Sequence, residues 1–153
     1  MRRGVVALVI VATLAVPAVA AAPSLAERNG NAVRAIRAYL AMQRYLFDGR
    51  SGSYREVVGK RPGAHAWPIS QAIAATIAVA RVPGADPGFG RAARRRIERL
   101  EDLRFGAVYT ASAGGSVYYD DNEWIAQDLL DADAAWPDAA GRQRATEIFA
   151  AVV

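Results

Sequence analysis

The chain has 153 residues, no cysteine, one histidine and a formal net charge of +4. Thiol nucleophiles, cysteine-ligated metals and disulfide staples are thereby excluded, so an apolar core must hold the fold. A Ser-His-Asp triad would depend wholly on His65, and no Gly-x-Ser-x-Gly elbow accompanies it.

Met1-Arg2-Arg3 is a positively charged start, residues 5–20 form an apolar run interrupted by Pro17, and Ala18-Val19-Ala20 supplies small residues where a signal peptidase cuts. Residues 1–22 are therefore read as a signal peptide and residues 23–153 as the exported domain, with no stable membrane span left after cleavage. Without Arg2 and Arg3, seventeen basic residues face fifteen acidic ones, a net of +2. A charge that small gives no ground for nucleic-acid binding.

Residues 25–48 are expected to form an amphipathic helix with Val33, Ile36, Leu40, Gln43 and Phe47 along its inner stripe. Asp48-Gly49-Arg50-Ser51-Gly52-Ser53 ends it with two glycines and turn formers. A polar connection follows, in which His65 is expected to make a local hydrogen bond. Trp67-Pro68 then opens a second helix, which stays apolar almost all round from 69 to 82, the pattern of an element buried on every side.

Asp86-Pro87 reads as the cap and first residue of a third helix, with Phe89, Ala93, Ile97 and Leu100 inward and Arg91, Arg94, Arg95 and Arg99 outward. Glu98, Glu101 and Asp102 are interleaved with those arginines, which marks a solvated face rather than a phosphate-binding one. Residues 105–119 are rich in glycine and serine and suit a short hairpin or an extended loop. Ser112-Ala113-Gly114-Gly115 lacks the Gly-Lys-Ser/Thr ending of a phosphate loop.

Tyr118-Tyr119-Asp120-Asp121-Asn122-Glu123-Trp124 packs three carboxylates and three aromatics into seven residues. Paired aspartates suit the opening of a helix, where the dipole favours negative charge. Asp120 with Glu123 also fits a capping box, a purely structural use of the same residues, with Asp121 as a neighbouring cap. The helix expected over 122–136 places Asp121, Trp124 and Asp128 on one stripe. A fifth helix starts at Gly141 with Ala145, Ile148, Phe149 and Val152 inward and runs to the last residue. No cluster with metal-ligand spacing occurs, and no cofactor motif.

Trp67-Pro68-Ile69-Ser70-Gln71-Ala72, followed by Tyr118-Tyr119-Asp120-Asp121-Asn122-Glu123-Trp124-Ile125-Ala126, resembles glycoside hydrolase family 76, the endo-acting α-1,6-mannanases. Arg44-Tyr45-Leu46-Phe47-Asp48 and Gly52-Ser53-Tyr54 fit the same pattern, so the likeness covers most of the chain after residue 22. The resemblance implies an all-α fold, an (α/α)6 barrel of inner and outer helices, with residues 69–82 an inner helix. By position, Asp120 becomes the nucleophile and Asp121 the general acid/base of a retaining hydrolysis. Tyr119, Trp124 and Trp67 become sugar-stacking faces, although each equally suits core packing. Gln71 and Asp128 complete the expected substrate contacts. The implied partner is a mannan-like polysaccharide outside the cell.

Twelve helices with their connections need roughly 200 residues. Five are read here, so the chain is expected to be an N-terminal fragment carrying part of the barrel. The competing reading is an exported, non-catalytic protein that binds cell-wall glycan.

Overall fold

The computed structural model describes residues 25–60 and 63–152, with side chains from residue 29 onward. The expected signal peptide, 1–22, lies outside the described residues. Five α-helices carry the fold: α1 (Leu25–Leu46), α2 (Ala66–Ala80), α3 (Gly88–Leu100), α4 (Tyr119–Ala135) and α5 (Ala139–Val152). Two short antiparallel pairs join them, β1 (Phe47–Asp48) with β2 (Ser53–Tyr54), and β3 (Arg104–Phe105) with β4 (Val108–Tyr109). The protein is therefore all-α in class, with hairpins as connectors. None of the described helices is long and apolar enough to cross a membrane.

α2 sits at the centre because its sequence offers no polar stripe. It packs extensively on α3 and α4 and more thinly on α1, while α4 packs on α5. Ile69, Ile73 and Ile77 of α2 meet Ala93 and Leu100 of α3, Ile125 and Leu129 of α4, and Ile148 of α5 in one core. Each fully buried aliphatic side chain contributes about 1.5–3 kcal/mol.

Several boundaries differ from expectation. α1 stops at Leu46, and its buried side is Tyr39 rather than the expected stripe, for Val33 and Leu40 are about half exposed. Tyr39 turns inward to stack edge-on with Phe89 of α3. α2 starts one residue before Trp67, capped at His65, so Pro68 is its third residue rather than its first. Proline is tolerated there because the first turn has no internal acceptor for its missing N–H. At α3, the helix begins at Gly88 with Pro87 at the cap position, one residue later than expected, and the Asp86 carboxylate accepts the Gly88 N–H at 2.7 Å. Gly90 allows α3 to approach Trp136, since a Cβ there would lie 3.0 Å from the indole ring. Gly106, at φ +61°, makes the two-residue turn between β3 and β4.

The third helix hides one arginine. Arg96 is only 7% exposed, and its guanidinium donates from Nε to the Tyr54 hydroxyl at 2.5 Å, from Nη2 to Gln43 Oε1 at 2.5 Å and from Nη1 to the Ala92 carbonyl at 2.9 Å. It also lies 4.6 Å from the centre of the Phe47 ring. Gln43 Nε2 closes the triangle by donating to the Tyr54 hydroxyl at 2.8 Å. Three neutral partners and a π face offset the desolvation of a buried cation. They also tie α1, the β1–β2 turn and α3 to one another.

Replacing Arg96 with leucine leaves Tyr54 and Gln43 short of a buried donor. We expect a loss of about 2–4 kcal/mol in urea denaturation and faster amide exchange across 47–54. Unchanged stability and exchange would show that the triangle holds nothing.

Candidate functional site

Between α1, the segment after β2, and the openings of α2 and α4 lies an open groove of about 530 Å³. Met42, Leu46 and Ala72 make its floor apolar. Tyr54, held from beneath by Arg96 and Gln43, supports the same floor. Glu56, His65 and Asp121 are the titratable acids and bases of the wall besides Arg55, and Trp67 and Tyr118 are its exposed aromatic faces.

Two helix openings converge on this groove. At α2, the His65 N–H donates to Glu56 Oε1 at 3.2 Å, and the His65 ring pairs with the same carboxylate through Nδ1. At α4, Tyr118 occupies the cap position in extended backbone without a side-chain cap bond. The tie is made instead by Asn122, which is fully buried. Its Oδ1 accepts the Tyr109 N–H at 2.7 Å, and its Nδ2 donates to the carbonyls of Tyr109 at 2.9 Å and Tyr118 at 2.8 Å.

That arrangement corrects the sequence reading of the acidic motif. α4 begins at Tyr119, so Asp120 and Asp121 lie within its first turn rather than in extended backbone before it. Neither forms the expected capping box. Asp120 Oδ1 accepts the Asp121 N–H at 3.0 Å, satisfying one of the orphan donors of the first turn. Successive helical residues point about 100° apart. Asp120 is accordingly exposed, while Asp121 is 8% exposed and faces the groove. Burial raises the Asp121 carboxyl above its ordinary range, the neighbouring Asp120 charge raises it further, and His65 pulls it partly back.

The other expected site residues separate. Trp67 stands on the groove wall with Asp121. Gln71, Tyr119 and Trp124 are exposed and lie off the wall, and core packing accounts for none of the three. Asp128 is 3% exposed, inside the α2–α4 interface, where Ser70 Oγ donates to its Oδ2 at 2.6 Å. A stripe spaced i, i+7 does align Asp128 with Asp121, but α2 covers the lower position. Burial pushes the Asp128 carboxyl up to about 7, against the lowering effect of the Ser70 hydrogen bond.

Sequence reasoning missed Glu56 as a wall residue, and of the aromatics grouped with the aspartates it is Tyr118, rather than Tyr119 or Trp124, that lines the groove. Glu56 sits in a polar connection with no periodicity to read, and only its partnership with His65 gives it a place. The expected local hydrogen bond of His65 is present, and Glu56 is the partner. Among the described residues, no group of three or more His, Asp or Glu is arranged to hold a metal ion. No protein-family model matches the chain, and no curated protein is significantly similar to it.

Asp128 makes stability depend on pH in a definite direction. The unfolded chain loses this proton near pH 4 and the folded one near 7. The folded state thus binds more protons in that window, and stability falls as pH rises through it. Asp128→Asn keeps an acceptor for Ser70 and removes the charge. We expect it to match the parent near pH 4 and to exceed it by about 2–4 kcal/mol at pH 8 in urea denaturation. Parallel pH profiles for the two proteins would contradict the assignment.

Proposed function

We propose that the chain carries the catalytic carboxylates of a secreted, retaining glycoside hydrolase acting on α-1,6-mannan-type polysaccharide, built on part of an (α/α)6 barrel. In that architecture α2 and α4 are inner helices, with α3 and α5 outside them. The resemblance of the Trp67 and Tyr118 motifs to the mannanase family supplies the linkage and the sugar. Export rests on the positive, apolar and small-residue pattern of residues 1–22.

The observation that carries the reading is the placement of Asp121. A buried carboxyl that holds its proton above the usual range stands on the wall of an open groove, which the aromatic side chains of Trp67 and Tyr118 also line. Such a group donates a proton to a leaving glycosidic oxygen, while flat aromatic faces hold the sugar ring. Asp120 then attacks the anomeric carbon, forming a glycosyl ester. Asp121, now ionised, removes a proton from the water that cleaves that ester, which returns both groups to their starting states. Retention requires carboxyl groups about 5–5.5 Å apart across the anomeric centre. Asp120 must therefore turn its side chain from solvent to the groove when sugar is bound.

The exposed position of Asp120 favours one alternative, an exported protein that grips cell-wall glycan without cleaving it. The two readings separate on α-1,6-linked mannan oligosaccharides. For the hydrolase, proton NMR shows the α-anomer released first, and Asp121→Asn and Asp120→Asn each lower kcat about 10²–10⁴-fold with sugar affinity retained. Affinity without release of reducing ends would leave the binding protein. Cleavage unaffected by either substitution would remove both aspartates from the mechanism.

A further inference from the structure

The groove holds a second titratable pair that the mechanism above leaves unused. His65 caps α2 with extended backbone, φ −74° and ψ 173°, which turns its side chain away from the helix axis and onto the groove wall. Glu56 fixes it twice, accepting the backbone N–H at 3.2 Å and the ring nitrogen Nδ1 with the same oxygen, Oε1. The His65 ring therefore has one nitrogen committed. Nε2 makes no hydrogen bond with any described residue, and the His65 side chain remains 53% exposed.

A carboxylate bound to Nδ1 selects the tautomer that carries its proton there, which leaves Nε2 as an acceptor on the neutral ring. Glu56 is suited to that task. The His65 ring and backbone hydrogen bonds hold the Glu56 carboxyl below the usual range, so it stays ionised. The Ala66 N–H, next in the chain, donates to the Ala111 carbonyl at 2.8 Å, which anchors the cap itself. The ring is thus oriented before any ligand arrives. Trp67, two residues along, offers an apolar face on the same wall, and Asp121 completes the polar side. A fixed acceptor beside an aromatic face and a carboxyl is the combination that grips a pyranose, with its apolar faces and outward hydroxyls.

We infer that His65 is a ligand-binding residue of this groove, its Nε2 accepting a sugar hydroxyl, with Glu56 as the positioning residue that presents the ring. The inference rests on the glycan reading of the groove but not on turnover, because holding a hydroxyl needs no bond cleavage.

The test follows the His65 ring nitrogens by ¹⁵N NMR during titration with an α-1,6-linked mannobiose, alongside binding by calorimetry. At a pH where the ring is neutral, the resonances should show Nδ1 protonated and Nε2 bare, and sugar should shift Nε2 while leaving Nδ1 in place. His65→Ala should weaken sugar binding about tenfold, the effect of one hydrogen bond of ordinary strength. Glu56→Gln should weaken it less and return the ring to a mixture of tautomers. His65 and Glu56 are both exposed, so both variants are expected to fold, with far-ultraviolet circular dichroism as the check. Sugar that shifts Nε2 without being cleaved would overturn hydrolysis and support this binding role. Cleavage with no Nε2 shift and no loss in His65→Ala would overturn the role and leave hydrolysis standing. No binding at all would overturn both.

Discussion

The start of α4 depends on Asn122. Its amide takes both backbone groups of Tyr109 and the carbonyl of Tyr118, so one buried side chain joins strand β4 to the first helical turn. Few other side chains fit, because the job needs an acceptor and two donors fanned from a short stem. With that turn pinned, the helical repeat fixes the rest. Asp121 faces the groove, Ile125 and Leu129 enter the core, and Asp120 is left in water. An unpinned turn would free Asp121 to rotate, and the groove would lose its acid.

The asymmetry between two adjacent aspartates follows from that geometry. Neighbouring carboxyls disfavour joint ionisation, and the shift upward falls on the one further from water. Asp121 is that one, with burial as the larger cause and the charge on Asp120 as the smaller. Two other buried polar nodes surround the site. The Arg96–Tyr54–Gln43 triangle fixes the floor from below, and the Ser70–Asp128 bond joins the two central helices beyond it. Every buried polar side-chain atom among the described residues has a partner. These contacts restrict the helices to one register, since sliding any of them would strand a donor or an acceptor.

Much of this was legible in the sequence where periodicity was strong. The apolar run of α2 announced a central helix, and the alternating arginines and aliphatics of α3 announced a flanking one. What periodicity cannot reveal is which polar residue a neighbour will bury. Nothing in the sequence sets Arg96 apart from the four exposed arginines of the same helix, and only Tyr54, Gln43 and Phe47, far away in sequence, give it an interior place. Asp128 shared a stripe with Asp121, yet the breadth of α2 decides which of them reaches the groove. The boundary of α4 was misjudged because Asp-Asp reads as a cap, whereas Asn122 does the holding and lets the helix begin three residues earlier. The Glu56–His65 pair was half visible: a histidine in a loop, with no rule to name its partner.

The account stands or falls on Asp121 holding its proton above the ordinary carboxylate range. Carboxyl ¹³C NMR on the protein, titrated through the acid range, reads that directly at each aspartate. The prediction is that Asp121 titrates above the ordinary carboxylate range, and that Asp120→Asn lowers it without returning it fully, because burial remains. A titration of Asp121 at or below the ordinary value, unmoved by Asp120→Asn, would contradict it.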